Sequence, residues 1–557
     1  MKDKTTSIYK NAILNKATDV LQIFIKYIIV IISMLFLGFI FLQSFFGSTF
    51  LDFCESSFFI EKPFWSTVLI VLIPILIAII VKIILQKYSI SIVTPNYIFL
   101  GIVTVVYTIL MIMFVYKTGI PAMDDQELIL NAANDLLNNV PDMWDKGAYC
   151  YRFPNQNGFV LFVALGLKMF GADNQMVFQY LNIPMLILSS FFLSKTIYLL
   201  FDDKKLARYS YILLLGFFQL NCYVTFVYGT LYGLAASVAG IFLLIKYFKK
   251  RNIVNGLVGI SLLSIGYGFK SNYLIMIVAA CLLLLFDAIV KKSLKSVISL
   301  VWGIVFYVVV VTSISSTIYH LTGKKVDEGT PNAAWVAMGL QESYKAPGWW
   351  NGYNAKVFAD NEYDIPKTKE AISQNISERV GELKKDKEYT LSFFSKKTAS
   401  QWNEGTFECF YITNLDRGRL SNPTWTDSVK NLMVDGHSAN RAVTTICNYF
   451  IVFLWLGIIL FLIFDFRKLD AYKLIFVIIF IGGFLFHLVW EAKGQYTIIY
   501  AYLMIPYMLR GYQLLLRRVC NISLGEKEAK EKRGTIIPVV VIALVVIVIG
   551  ISNNKVV

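Results

Sequence analysis

The stretch Val68-Leu-Ile-Val-Leu-Ile-Pro-Ile-Leu-Ile-Ala-Ile-Ile-Val81 carries no charge and no alternation of polar with apolar residues. A strand of a membrane barrel would alternate over ~10 residues. In lipid every backbone polar group must be satisfied within a helix or a closed barrel, so this run reads as a helix. Val539 to Gly550 has the same character. Apolar runs of this kind, near the roughly 20 residues needed to cross a bilayer, recur along the 557-residue chain. Hydrophobic residues make up 57% and charged residues 16% of the sequence, which fits an all-α polytopic membrane protein whose main partner is the lipid bilayer.

Thirteen spans are expected, near 21–46, 64–86, 97–117, 176–200, 209–227, 231–247, 253–269, 272–290, 297–318, 443–464, 471–489, 496–513 and 535–552. The net charge of +15 does not imply a nucleic-acid partner, because the lysines and arginines gather in short clusters beside the apolar runs. Seven cysteines, at 54, 150, 222, 281, 409, 447 and 520, form neither a metal spacing nor an even disulfide framework. Met1 to Ala17 is basic and lacks a small-residue cleavage site after a short apolar core, so the first span is expected to stay attached.

Orientation follows from the basic clusters. With the N-terminus in the cytoplasm, the groups Lys204-Lys205-Arg208, Lys246 to Arg251, Lys291 to Lys295, Arg467-Lys468 and Arg510 to Arg533 all fall on the cytoplasmic side. That agreement requires Gly158 to Phe170 not to cross, and its thirteen residues suit an interfacial or re-entrant helix better than a span. The chain then divides into 1–96, a basic tail with two extra spans; 97–319, a membrane module with an external loop at 118–175; 320–442, a large external region; and 443–557, the last spans with a cytoplasmic connector at 514–534.

The external loop 118–175 holds the acidic pair Asp124-Asp125 and the run Tyr151-Arg-Phe-Pro-Asn-Gln-Asn-Gly158. Two tight external turns carry further charge beside lipid: Lys270 in one, Glu491 and Lys493 in another. Unpaired charge there is costly. Convergence of all three segments on one face would bring acids and bases together over an interfacial groove. The region 320–442 is too long for a plain connector. Its run Gly348-Trp349-Trp350-Asn351-Gly352-Tyr353-Asn354 sets tryptophans among amides, as a carbohydrate groove would, while Trp335, Trp349, Trp350, Trp402 and Trp425 equally suit an interfacial aromatic belt. Asn221 and His487, polar side chains inside or near spans, are expected to make helix–helix hydrogen bonds.

An external carboxylate can act as general base on a sugar hydroxyl while cationic side chains stabilise a departing lipid phosphate. That chemistry is glycosyl transfer from a polyprenyl-phosphate sugar. A single displacement at the anomeric carbon inverts its configuration, without the second carboxylate that glycoside hydrolysis generally uses.

The order of these pieces resembles the integral-membrane GT-C glycosyltransferases, which include protein O-mannosyltransferases and aminoarabinose transferases, and within them most the Gram-positive membrane glycosyltransferases. The resemblance rests on Asp125-Gln126 with Asn131-Ala132-Ala133, Tyr151 to Gly158 running to Met169-Phe-Gly171, Phe269-Lys-Ser-Asn-Tyr273, Trp335-Val-Ala-Met-Gly-Leu340, Gln401-Trp-Asn-Glu404 and Glu491-Ala-Lys-Gly-Gln-Tyr496, and covers about 97 to 513. It implies a GT-C-type bundle with juxtamembrane helices in the first external loop. It also implies that Asp125 is the catalytic base with Asp124 beside it, that Lys270, Arg152 and Lys493 hold the donor phosphate, and that Tyr151, Asn155 and Gln156 position the sugar or shape the loop. Trp349, Trp350, Glu491 and Tyr496 complete the expected substrate contacts. Many relatives carry Asp-Glu where this chain has Asp125-Gln126, which leaves the partner acid open. Some relatives use a divalent metal; no His/Asp cluster here has ligand spacing, so no obligatory metal is expected.

The expected activity is inverting transfer, at the outer face of the cell membrane, onto a surface polysaccharide, a teichoic-acid-like glycopolymer or a protein. The alternatives are a polysaccharide polymerase or ligase, and a flippase of lipid-linked saccharides, which would favour charge and broken helices near the bilayer midplane.

Overall fold

The computed structural model describes residues 2–52, 54–90, 92–171, 174–413 and 425–523. The expected span 535–552 and the connector beyond 523 lie outside the described residues. The protein is an all-α polytopic membrane protein. Among the described residues, nine helices are long and apolar enough to cross a membrane.

Helix α1 (Lys2–Phe46) enters a two-stranded antiparallel hairpin, β1 (Gly47–Leu51) with β2 (Ser57–Glu61), registered from Gly47 opposite Glu61 to Leu51 opposite Ser57. Helices α2 (Phe64–Lys87) and α3 (Tyr97–Thr118) bury few residues and expose their apolar side chains, as lipid-facing helices do. Asn96 starts α3 by accepting the Phe99 N–H at 2.8 Å, and Gly119 ends it in the left-handed conformation at φ +51°. Three non-crossing helices follow: α4 (Asp125–Asn138), α5 (Tyr149–Arg152) and α6 (Asn157–Phe170). The fourteen residues of α6 extend only about 21 Å, short of a ~30 Å hydrocarbon core. Gly158 lets its N-terminus press on the Gly268 carbonyl, where any Cβ would collide.

After α7 (Met176–Phe201), the structure corrects one expectation. The segment 209–227 is not a single span: α8 (Lys204–Leu215) stops before Gly216, and the chain continues as α9 (Phe218–Cys222) and a 3₁₀ turn, Tyr223–Thr225. Side chains make the break tolerable by bonding the freed carbonyls. Asn221 donates to Leu215 O at 2.9 Å, and Asn182 on α7 donates to Val224 O at 3.0 Å. Interrupted helix in a membrane protein needs such substitutes.

Helices α10 (Thr230–Lys250) and α11 (Ile253–Phe269) pack backbone to backbone; a Cβ on Gly240 would stand 2.6 Å from Gly259 O. Next come α12 (Leu274–Lys291) and α13 (Leu294–Thr322). The region 320–442 contains α14 (Ala333–Gly339), α15 (Tyr353–Asp360), α16 (Ile365–Lys385), α17 (Lys387–Trp402), α18 (Cys409–Thr413) and α19 (Asp427–Met433). The bundle closes with α20 (Ser438–Asp465), α21 (Ile475–Val489) and α22 (Gly494–Ser523). From Ile498 to Met508 α22 is almost wholly buried, so it can be less apolar than its lipid-facing neighbours. Its Tyr500 packs on Trp402, which in turn meets Trp455 and Phe480 in the surrounding core.

The two ends of the bundle differ. At one end Asp287 of α12 binds Arg251 bidentately at 2.5 and 2.8 Å, and Arg510 reaches Asp465 at 3.0 Å and Asp203 at 3.6 Å. These clusters sit among the basic loops. Helices α11 and α12 run from that end to the turn at Lys270, so Lys270 lies at the other. There the hairpin and the region 320–442 are fastened together: Thr49 N–H donates to Asn403 O at 3.2 Å, and Ser57 N–H donates to Lys345 O at 2.8 Å. The segment 1–96 is therefore more than a pair of added spans, because its hairpin is part of this end.

Candidate active site

Between the hairpin, the loop after α3, the turn after α11, the region 320–442 and the turn after α21 lies a cavity of about 1010 Å³. Asp124, Asp125, Arg152, Asn155, Gln156, Lys270, Trp350, Glu491, Lys493 and Tyr496 all line it. Segments far apart in sequence thus converge on one chamber.

Asp125 opens α4. Its Oδ2 accepts a 2.7 Å hydrogen bond from the Tyr228 hydroxyl. The same hydroxyl accepts from Gln156 Nε2 at 2.8 Å, which leaves its proton directed at Asp125. Lys270 makes no ion pair among the described residues; its Nζ lies 3.3 Å from the centre of the Tyr228 ring. Burial pushes the Lys270 ammonium down to about 7, against the raising influence of Asp125. Burial, then the Asp125 charge, pushes the phenols of Tyr228 and Tyr149 well up. Asp124, just before α4, has a positive φ of 54°, a conformation that costs a residue with a Cβ about 1 kcal/mol or more. Gln126 anchors the arrangement, its Oε1 accepting the Val227 N–H at 2.7 Å. An amide that accepts a backbone proton holds the loop 226–229.

On the opposite wall Lys493 lies 2.8 Å from Glu55 Oε1 and 3.8 Å from Glu408 Oε2. Lys345 pairs with the other Glu55 oxygen. Burial raises Glu55, but Lys493 and Lys345 outweigh it and hold that carboxyl below its ordinary value. Burial pushes Glu408 up to about 8 and Glu491 up to about 7, in each case against Lys493. Tyr496 donates to Glu491 Oε2 at 3.3 Å. Lys493, expected as a phosphate ligand, is therefore already paired with the Glu55 carboxylate. Arg152 makes no ion pair among the described residues, its guanidinium lying 5.2 Å from the Phe153 ring and its buried Nε lacking a hydrogen-bond partner.

Two expected residues are not part of the lining. Trp349 is buried, its Nε1 donating to Ser400 Oγ at 2.7 Å while its ring packs on Ala346 and Ala492. Tyr151 stacks on Phe358 at 6.1 Å and 9°, fixing the first loop to the later region. Trp402 and Trp425 are likewise core residues, whereas Trp335 lines the cavity and stacks on Trp490 at 5.9 Å. Asn221 does bridge helices, accepting from Tyr107 at 3.0 Å, but among the described residues neither nitrogen of buried His487 has a hydrogen-bond partner. Tyr149, Tyr228, Glu55 and Lys345 belong to the cavity and were not anticipated. Tyr228 sits in a stretch that reads as the end of a span, and Glu55 in one that reads as a connector. The available signal was an acid at Glu55 in a loop opening on the same side as Asp125.

Below the charged chamber the lining becomes apolar. Leu274, Val278 and Leu282 of α12 line it at four-residue spacing, facing Val311 and Ile314 of α13 and Ile478 and Phe486 of α21. Eight residues of helix make this arm roughly 12 Å long. Val278 and Leu282 remain 50% and 54% exposed, so the arm opens sideways on the lipid-facing surface. Among the described residues no group of three or more His, Cys, Asp or Glu has the arrangement of a metal site.

Neither the curated proteins nor the solved structures contain a match to this chain. A protein family described as "Conserved hypothetical integral membrane protein" matches residues 24–510, most of the sequence. The chain belongs to that family of integral membrane proteins.

Proposed function

We propose that the protein is an inverting glycosyltransferase that takes a sugar from a polyprenyl-phosphate carrier and transfers it to an acceptor hydroxyl at the outer face of the cell membrane. The observation that carries this reading is the cavity's division into a charged chamber and an apolar arm open to lipid, which suits a ligand with a charged head and a hydrocarbon tail. Asp125 takes the acceptor's proton as its oxygen bonds to the anomeric carbon. The bond from that carbon to the carrier phosphate breaks, and its electron pair leaves on the phosphate. Lys270 and Arg152, the two lining cations without a carboxylate partner among the described residues, offset that charge. An outer-face site is supported by the basic loops at the opposite end of the bundle. A polysaccharide or teichoic-acid-like acceptor fits a chamber whose lining includes the exposed Trp350 and the amide of Asn354.

A transporter is less well supported, because the lining charges gather at one end rather than along a central path. The test is transfer of labelled sugar from polyprenyl-phosphate sugars to cell-envelope acceptor by purified protein in lipid nanodiscs. Asp125→Asn should lower the rate at least a thousandfold and Lys270→Ala at least tenfold. Wild-type rates in both variants would refute the mechanism.

A further inference from the structure

Glu55, at the tip of the β1–β2 hairpin, is 1% exposed, yet it lines the chamber together with its two partners, Lys345 and Lys493. The two lysines hold different oxygens of one carboxylate: Lys493 at Oε1 and Lys345 at Oε2. Two ammonium groups placed on two oxygens of a single acid form a receptor for any anion with adjacent oxygens. We propose that Lys345 and Lys493 form a phosphate site in the cavity wall, which the Glu55 carboxylate fills as an internal stand-in and vacates when a phosphate group enters. The site rests on the proposed carrier chemistry only for the source of that phosphate.

Several features make the occupant exchangeable. Glu55 is carried by a two-stranded hairpin, an element of marginal stability by itself. Its backbone stands at φ +62°, a conformation unfavourable for a residue with a Cβ. Asp52 accepts the N–H groups of Cys54 and Ser56, each at 2.8 Å, and so braces the residues on either side of Glu55 without using its side chain. Lys493 keeps the Glu408 side chain at 3.8 Å as a polar neighbour when Glu55 leaves. A phosphate monoester can bring two negative charges where Glu55 brings one. The Trp350 ring lies 5.4 Å from Lys345 Nζ and gives that ammonium a π face when Glu55 leaves.

The experiment uses the full-length protein in nanodiscs, with polyprenyl phosphate, uncharged polyprenol and inorganic phosphate as probes. Hydrogen exchange of the 54–57 amides follows the hairpin tip, since Ser57 N–H is held by Lys345 O and Glu55 N–H by Asp52 O. Polyprenyl phosphate should speed that exchange several-fold in the wild type, polyprenol should not, and Lys345→Met should abolish the response. Glu55→Gln, which removes the internal anion at constant size, should bind polyprenyl phosphate at least tenfold more tightly. If inorganic phosphate gives the same responses at similar concentration, the site stands and its ligand is free phosphate. If wild-type exchange is indifferent to both phosphates, or Glu55→Gln binds no more tightly, Glu55 is a fixed structural partner and the proposal is overturned. Loss of sugar transfer with the exchange response intact would count against the transferase reading alone.

Discussion

Replacing Lys270 by arginine should change how donor binding depends on pH. Burial holds the Lys270 ammonium down to about 7, so the lysine is charged below that pH and largely neutral above it. A polyprenyl-phosphate sugar is a phosphodiester whose single charge does not change in this range. Its affinity should therefore be greatest below about pH 7 and fall as pH rises. Two pH units above 7 leave about 1% of the lysine charged, a weakening of up to ~100-fold or about 2.7 kcal/mol. The fall has an upper bound. A phosphate near 4 Å at an effective dielectric of 20 favours the charged lysine by about 4 kcal/mol, which keeps it protonated in the complex up to roughly pH 10. Glu491, raised to about 7 by burial, acts in the same direction by becoming charged over the same interval. Arginine stays charged throughout, so Lys270→Arg should remove one proton's share of the slope and Glu491→Gln the other. Binding of a labelled donor in nanodiscs between pH 6 and 9 measures this. A wild-type affinity that is flat over that interval, or a slope unaltered in Lys270→Arg, refutes the assignment of Lys270 to the phosphate.

Tyr228→Phe keeps the ring beneath Lys270 but deletes the hydroxyl that links Gln156 to Asp125; losing a hydrogen bond to a charged group costs about 1.5–3 kcal/mol, so thermal stability should fall by about that much and the turnover rate should fall at least tenfold, whereas a normal rate would deny the phenol a part in setting Asp125. The adjacent tryptophans should separate cleanly in thermal-unfolding and transfer assays. Trp349→Ala empties a packed site and should destabilise by about 3–5 kcal/mol. Trp350→Ala, 44% exposed at the mouth, should alter stability by no more than about 0.5 kcal/mol while raising the acceptor KM.

Much of the fold is legible in the sequence because a lipid-facing helix depends on little beyond its own apolarity. Helices α2 and α3 touch few residues of the protein, and their limits nearly coincide with those of their apolar runs. The segment 209–227 misleads for the complementary reason. Its apolar content is that of a span, but Asn182, a residue of another helix, takes up the carbonyls that a break releases. No periodicity within 209–227 contains that information. Trp349 and Trp350 show the same limit on a smaller scale. They are chemically identical neighbours, and the one in the core is met there by Ser400 and Ala492, some fifty and more than a hundred positions away.

At the site, charges beside the spans reveal where a chamber forms but not how its charges are shared out. From the sequence, Asp125 and Lys270 look like natural partners across a groove. The structure instead places Tyr228 between their roles, its hydroxyl on the carboxylate and its ring face under the ammonium. A direct buried ion pair would use up both groups, since each would be held by the other rather than by a substrate. The phenol avoids this by stabilising the carboxylate with a neutral donor and the ammonium with a π face, neither of which removes a charge. Lys493 shows the opposite outcome on the facing wall, where Glu55 and Glu408 meet the ammonium directly. One cavity thus holds a lysine kept from its acid and a lysine surrounded by acids. An entering anion can meet the first at once and the second only by displacing a carboxylate, which predicts two phases of phosphate binding, of which Glu55→Gln abolishes the slower.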